Sequence, residues 1–246
     1  MIKSDDVSDE VVMANKKKLD AMPRPFGRTS WLPYPRVLST AVRIRFDLLA
    51  ELHMLVEDAI DDRTADIVRT YITAETDSSR EQNEVEEYGE YLAEELQQLE
   101  DIKREARLLH TVSLYHRLEN ELKTIFVWRF SGLNGAEKRT LMRSVHRWKA
   151  LKKITQTYFN FDIASVADFR VVDKLRCIAN AVKHKQGNVT DELHALTRWP
   201  LNKPIDVANI DMKGLQEACI GFFSAFAEKG ERSMKATFGN PAEVRK

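Results

Sequence analysis

The chain has 246 residues, with 38 basic and 38 acidic side chains, and 43% of its residues are hydrophobic. A neutral chain of this size and hydrophobicity excludes general disorder and a strongly basic nucleic-acid coat protein. It predicts one large globular domain, or one with an appendage. The chain has only two cysteines and a polar N-terminal sequence, which predict a cytoplasmic protein without disulfides or a secretory signal. It has no apolar run of roughly 18 residues, which predicts that it does not span a membrane.

Proline separates an N-terminal arm from the rest of the chain. Four prolines lie between residues 23 and 35, and the next is Pro200. The interval between them has few glycines and no alternating β-branched runs, which predicts helix almost throughout. We therefore expect an all-α bundle of five to seven helices over residues 37–230, with a C-terminal tail at 231–246. Residues 1–36 are a polar leader and an apolar, Pro-rich arm, predicted to lie as a strap over the core or over a partner subunit.

The first two helices are predicted to form a long antiparallel pair over residues 38–74 and 78–131, with the hairpin portion within 37–104. A Ser78–Glu81 capping box marks the start of the second helix. Apolar residues at spacings of three and four define the predicted core face of the first: Val42, Phe46, Leu49, Leu52, Val56, Ile60, Ile67 and Tyr71. Helices of this length either break or project from a compact bundle, and a projecting pair favours a two-fold homodimer.

Charge is strongly polarised along the chain. Residues 75–101 contain eleven acids and one base, whereas residues 102–153 contain thirteen Lys or Arg and four Glu. A helix predicted over 136–158 places four basic residues largely opposite its apolar face: Arg139, Arg143, Arg147 and Lys152. These residues predict contacts with an RNA backbone. Neutralisation by the acidic run, in the same subunit or the next, is the equally weighted alternative.

Two further helices are predicted at residues 167–186 and 212–229. The first is expected to end at Gly187, and the second is rich in phenylalanine. Cys-x-x-Cys, His-Glu-x-x-His and Gly-rich phosphate-loop motifs are missing from the sequence, so we expect no metal and no cofactor. His110 and His116 are six residues apart, on different faces of a helix, and are interpreted as separate residues.

The segment with the most chemical information is KLRCIANAVKHKQG, residues 174–187. Arg176, Asn180, Lys183 and His184 follow one side of the predicted helix, and Asn180 lies one turn before His184. An amide there can fix the imidazole tautomer or hold a phosphate oxygen. The imidazole can then act as general base in RNA cleavage, with Lys183 or an Arg stabilising the phosphorane charge. Favourable interaction of Lys and His with the last carbonyls of the helix is the alternative explanation.

Residues 179–184, ANAVKH, resemble the RNxxxH motif of the HEPN superfamily, all-α domains of ribonuclease toxins, antiviral defence proteins and RNA-processing factors. Asn180 and His184 match the motif, Ala179 stands at the Arg position, and Arg176 lies one turn earlier. The segment LYHRLENELK, with Glu119, also resembles the first core helix of that family. The resemblance covers roughly residues 105–228.

The resemblance implies a homodimer in which motifs from two subunits line one cleft. It also implies a metal-independent endoribonuclease, with His184 as general base, Asn180 orienting it, and Arg176 or Lys183 stabilising charge. Because Ala179 replaces the Arg, our favoured interpretation is a catalytically silent module. Such a module would bind RNA, a nucleotide or a protein partner in a defence or toxin–antitoxin setting.

Overall fold

The computed structural model describes residues 35–76, 82–125, 148–159 and 161–238. Within these ranges the chain forms six α-helices, two short 3-10 helices and one isolated β-bridge between Asn188 and Pro204, and no strand. The predicted all-α class is therefore confirmed, with a helix count inside the predicted range. The N-terminal arm and the capping box at Ser78 and Glu81 lie outside the described residues.

The helices differ widely in length. In chain order they are α1 Pro35–Thr76, α2 Gln82–Thr124, α3 Trp148–Phe159, α4 Phe169–Lys185, α5 Asp191–Thr197 and α6 Met212–Phe238. Helices α1 and α2 have 42 and 43 residues, so each runs for about 64 Å at 1.5 Å per residue. The predicted long pair therefore consists of two uninterrupted helices, as the lack of internal proline indicates.

The described residues belong to two compact units. The first, which we call the hairpin unit, contains residues 45–114 and 175–211; the second, the aromatic unit, contains the described residues up to 44, 115–174 and those from 212 onward. In the hairpin unit, ion pairs join Glu57 to Arg107 and Asp61 to Lys103, both at 2.5 Å. Residue numbers rise on one helix as they fall on the other, so α1 and α2 are antiparallel here.

The buried positions of α1 in the hairpin unit recur every seven residues. They are Phe46, His53, Ile60, Ile67 and Ala74. Leu52, Val56 and Tyr71, all predicted as core residues, are instead exposed. Leu52 is exposed because it lies roughly 100° around the helix from His53. Val56 is three residues from His53 and four from Ile60, at the edge of the buried stripe, and only one position in seven of α1 is buried in this unit.

Stacked aromatic rings form the core of the aromatic unit. The Trp148 ring stacks on Phe169 with centroids 6.3 Å apart and lies 6.3 Å from Phe222. Phe161 meets Phe226 edge to face at 5.6 Å. Trp148 is buried as the sequence predicts, and so are Phe222, Phe223 and Phe226 of α6. Each fully buried ring contributes roughly 2–3 kcal/mol of transfer free energy.

Candidate functional site

Helix α4 carries the predicted motif and ends just after it. Gln186 and Gly187 adopt left-handed conformations, with φ of 52° and 73°, and the Gly187 N–H donates to the Ala181 carbonyl at 3.1 Å. A Cβ at Gly187 would be in van der Waals contact with Leu108 Cδ1 at 3.4 Å, so the positive φ, rather than a lack of space, favours glycine there. The predicted end of the helix at Gly187 is therefore correct to within one residue, and its cause is backbone geometry.

Residues 179, 180 and 184 of the motif do not share one environment. Ala179 has 0% of its surface exposed, Asn180 is half-buried and His184 is exposed. Positions five apart on a helix are rotated by roughly 140°, so the Arg position of the motif faces the core while His184 faces solvent. Among the described residues, no hydrogen bond joins the Asn180 amide to the His184 imidazole.

Arg176 is engaged with a different helix. Its Nη2 donates to Glu192 Oε2 of α5 at 3.2 Å and lies 3.2 Å from Cys177 Sγ. Only 17% of the Arg176 side chain is exposed, and eight residues separate it from His184, about 12 Å of axial rise. Arg176 therefore links α5 to α4 and does not lie beside His184. Lys183 is exposed in the last turn of α4.

The predicted RNA-binding residues lie mostly beyond the part of the chain that the structure describes. Arg139, Arg143 and Arg147 are outside it. Lys152 is half-buried on α3, and its Nζ lies 4.8 Å from the centre of the Phe169 ring. A cation over an aromatic face is stabilised there by about 0.5–2 kcal/mol, so this ammonium group has a partner within the aromatic unit.

A buried histidine pair in the hairpin unit is a feature that the sequence analysis missed. The rings of His53 and His110 stack with centroids 4.2 Å apart and planes at 12°. Arg107 Nε donates to Glu57 Oε1 at 2.5 Å, and this carboxylate oxygen lies 3.6 Å from His53 Nε2. The cluster thus places two imidazoles beside one neutralised carboxylate, inside a helical hairpin.

Burial dominates the protonation of this pair. It lowers the pKa of His110 to about 4, an effect to which the neighbouring His53 adds. Burial also lowers the pKa of His53, partly offset by Glu57. Both rings are therefore neutral near pH 7. In the described ranges, no three or more His, Cys, Asp or Glu side chains are placed to hold a metal ion.

A sequence signal for the pair did exist. His53 occupies the seven-residue repeat that buries Phe46, Ile60 and Ile67, and an imidazole at such a position is buried unless the repeat breaks. The spacing of apolar residues alone does not identify His53, because histidine is not counted as apolar.

A set of exposed leucine and isoleucine side chains lies on the hairpin and was also missed. We call it the apolar strip: Leu48, Leu52 and Leu55 of α1 with Ile102 and Leu109 of α2, each more than half exposed. Leu52 and Leu109 each precede a ring of the stacked pair His53–His110 by one residue. In an antiparallel helix pair this relation turns both side chains to the same side of the hairpin.

Comparisons with protein-family models, with curated proteins and with solved structures find no match to this chain. In the described ranges, the helices are all too short or too polar to cross a membrane.

Proposed function

We propose that the protein is a catalytically silent, HEPN-like helical module that binds protein partners, including a second copy of itself, in a defence or toxin–antitoxin setting. The likeness of Asn180 and His184 to the family motif, and of the segment with Glu119 to the family's first core helix, supports a relationship to that family. The observation that carries the catalytic silence is the burial of Ala179, at the position where the nucleases place an arginine.

Metal-independent RNA cleavage needs a base and a cationic group at the same phosphate, each within hydrogen-bonding distance of the reacting atoms. His184 is exposed and could serve as the base. The guanidinium of Arg176 is held by Glu192, about 12 Å along the helix from His184. This arrangement supports a binding role for the module over the alternative, a metal-independent endoribonuclease.

Removal of the candidate base is expected to change nothing in an RNA cleavage assay. Wild-type protein and His184→Ala, incubated in EDTA with single-stranded and hairpin RNA, should give the same background rate. Because His184 is exposed, the variant should keep its stability to within about 0.5 kcal/mol, which thermal unfolding checks. Cleavage by the wild type that disappears in His184→Ala would contradict the proposal and support the endoribonuclease.

The apolar strip supports protein binding. Monomeric soluble proteins expose single apolar residues freely, but a contiguous set of large ones is typical of an interface. The three leucines of α1 follow spacings of four and three, the pattern with which helices pack against each other. A two-fold axis would bring the strip of one chain against the same strip of another.

A homodimer is therefore the expected state in solution, with a mass of twice 28.4 kDa by light scattering. Leu52→Glu should weaken dimerisation at least roughly tenfold, because a carboxylate would be desolvated at the interface. Met54→Glu is the matched control, because Met54 is 57% exposed and Leu52 59%, but Met54 follows His53 and so faces the other side of the hairpin. A monomer at all concentrations, or equal effects of the two variants, would contradict dimerisation through the strip.

A further inference from the structure

The far end of the hairpin contains a groove of about 1010 Å³. It lies between residues 67–75 of α1 and 82–96 of α2, and we call it the distal groove. Apolar side chains line it, among them Val68, Tyr71, Val85 and Leu92. Val68 and Tyr71 of α1 are exposed and Val85 of α2 is half-buried, so the groove presents apolar surface to solvent, mostly from α1.

The groove is open because α2 is covered along one narrow face only at this end, where Leu92 is the one fully buried residue between residues 82 and 100. Residues 175–211 approach α2 near Leu108 and Arg104, where a Cβ added to Gly187 would lie 3.4 Å from Leu108 Cδ1 and 4.0 Å from Arg104 Nη2. Leu96, at the near end of the groove, is twelve residues before Leu108, about 18 Å away along the helix. At Gly89 an added Cβ would meet the Tyr71 ring at 3.0 Å. The missing side chain thus lets the tyrosine lie close against α2.

Carboxylates border the groove on both sides. Glu75 lies on the α1 side, and Glu86 and Glu90 lie on the α2 side. Among the described residues of the acidic run 75–101, Glu95 alone has an ion-pair partner, Arg63. The three groove carboxylates are exposed and, within the same described residues, have no cationic partner. They therefore give the groove a negative potential that favours a cationic ligand.

We propose that the distal groove binds a basic amphipathic helix presented by another protein. A row of apolar side chains on that helix would enter between α1 and α2. Lys or Arg on its two flanks would meet Glu75 on one side and Glu86 and Glu90 on the other. The inference rests on the proposed protein-binding function, and it names the surface and the chemistry of one partner.

The shape of the groove determines the kind and length of the ligand. Two packed helices leave between them a furrow into which the side-chain ridge of a third helix fits. From residue 82 to residue 96 the groove follows about 21 Å of α2, which matches a helix of about 14 residues, or four turns. Such a helix would complete three-helix packing at this end of the hairpin, where residues 82–100 of α2 are largely exposed.

The basic segment of this same chain is less suited to the groove than a foreign helix. Its apolar face includes Trp148 and Leu151, and both are buried in the core of the aromatic unit. Lys152 is likewise engaged with Phe169. A ligand for the groove needs a row of exposed apolar side chains, and those of this segment are already buried.

Binding is tested by fluorescence anisotropy with the full chain and a synthetic 16-residue peptide. The peptide carries leucines at spacings of three and four, flanked by Lys and Arg, and a scrambled peptide of the same composition is the comparison. The ordered peptide should bind at least roughly tenfold more tightly than the scrambled one, because only it forms a single apolar row.

Two charge-reversal variants on one helix locate the binding. The double variant Glu86→Lys with Glu90→Lys should bind the ordered peptide at least roughly tenfold more weakly than the wild type does. The double variant Glu84→Lys with Glu87→Lys makes the same change in net charge on the same helix, but outside the groove lining. It should weaken binding of the ordered peptide less than about threefold. All four carboxylates are exposed, so both variants should fold.

Equal weakening by the two variants would mean diffuse attraction to the acidic run and would overturn the proposal. So would equal binding of the ordered and scrambled peptides. If a peptide of residues 138–153 bound as tightly and with the same dependence on Glu86 and Glu90, the occupant would be this chain's own segment, which also overturns it. If the ordered peptide does not bind in the groove while the dimer still depends on Leu52, this inference alone is refuted. RNA cleavage that depends on His184 would refute only the proposed function.

Discussion

Replacing Ala179 with arginine is expected to destabilise the protein by at least about 3 kcal/mol and to produce no RNA cleavage. Ala179 is completely buried on α4, together with Leu175 and Ile178. A guanidinium there must either enter the core without a partner or push α4 away from its neighbours, and each is among the most costly kinds of substitution. Urea denaturation measures the loss of stability, and incubation with RNA in EDTA measures cleavage.

Asn180→Arg is the matched control for this substitution. It adds the same side chain one residue further along the same turn, where the native side chain is half-buried. Its cost should be below about 1 kcal/mol because the long side chain can reach solvent. A stable Ala179→Arg protein that cleaves RNA in EDTA, and loses that activity with His184→Ala, would contradict the expectation and identify the protein as a nuclease with a degraded motif.

The long helices could be predicted because few glycines and no prolines interrupt the sequence between residues 36 and 199. The buried face of α1 could not be predicted from the sequence. This helix has two apolar stripes, one through Phe46, Ile60 and Ile67 and another through Leu48, Leu52 and Leu55. Both have the spacing of a core face, and packing against α2 selects the first. The predicted core face therefore included Leu52, which belongs to the second stripe.

The candidate site was predictable only in its spacing. Asn180 and His184 lie one turn apart on a helix that ends where expected. The role of Arg176 depends on α5, a helix of seven residues that the sequence analysis did not predict. Thr190 caps it by accepting from the Leu193 N–H, a signal visible in the sequence Thr-Asp-Glu before an apolar residue. The ion pair of Arg176 with Glu192 joins residues sixteen apart, and such a contact follows from tertiary packing, not from local pattern.

Acidification is expected to weaken the hairpin unit through the histidine pair. In the unfolded chain His110 takes up a proton near pH 6.5, whereas burial in the folded protein lowers its pKa to about 4. The unfolded state therefore binds more protons between these values. Stability is complete above about pH 6.5 and falls as the pH drops towards 4, by about 3 kcal/mol for this one group. Urea denaturation at half-unit steps of pH measures the decline.

The decline should be assigned to the pair by removing its titration while keeping its packing. His53→Phe with His110→Phe retains two stacked aromatic rings at the positions now 4.2 Å apart. It also removes two groups that resist protonation in the fold. The charges facing the pair are Glu57 and Arg107, which hold each other at 2.5 Å and remain in the variant. We expect the variant to lose less stability than the wild type between pH 6.5 and 5, above the range in which most carboxylates titrate. If the free energy of unfolding fell equally with pH in the two proteins, the fold would not hold these imidazoles neutral.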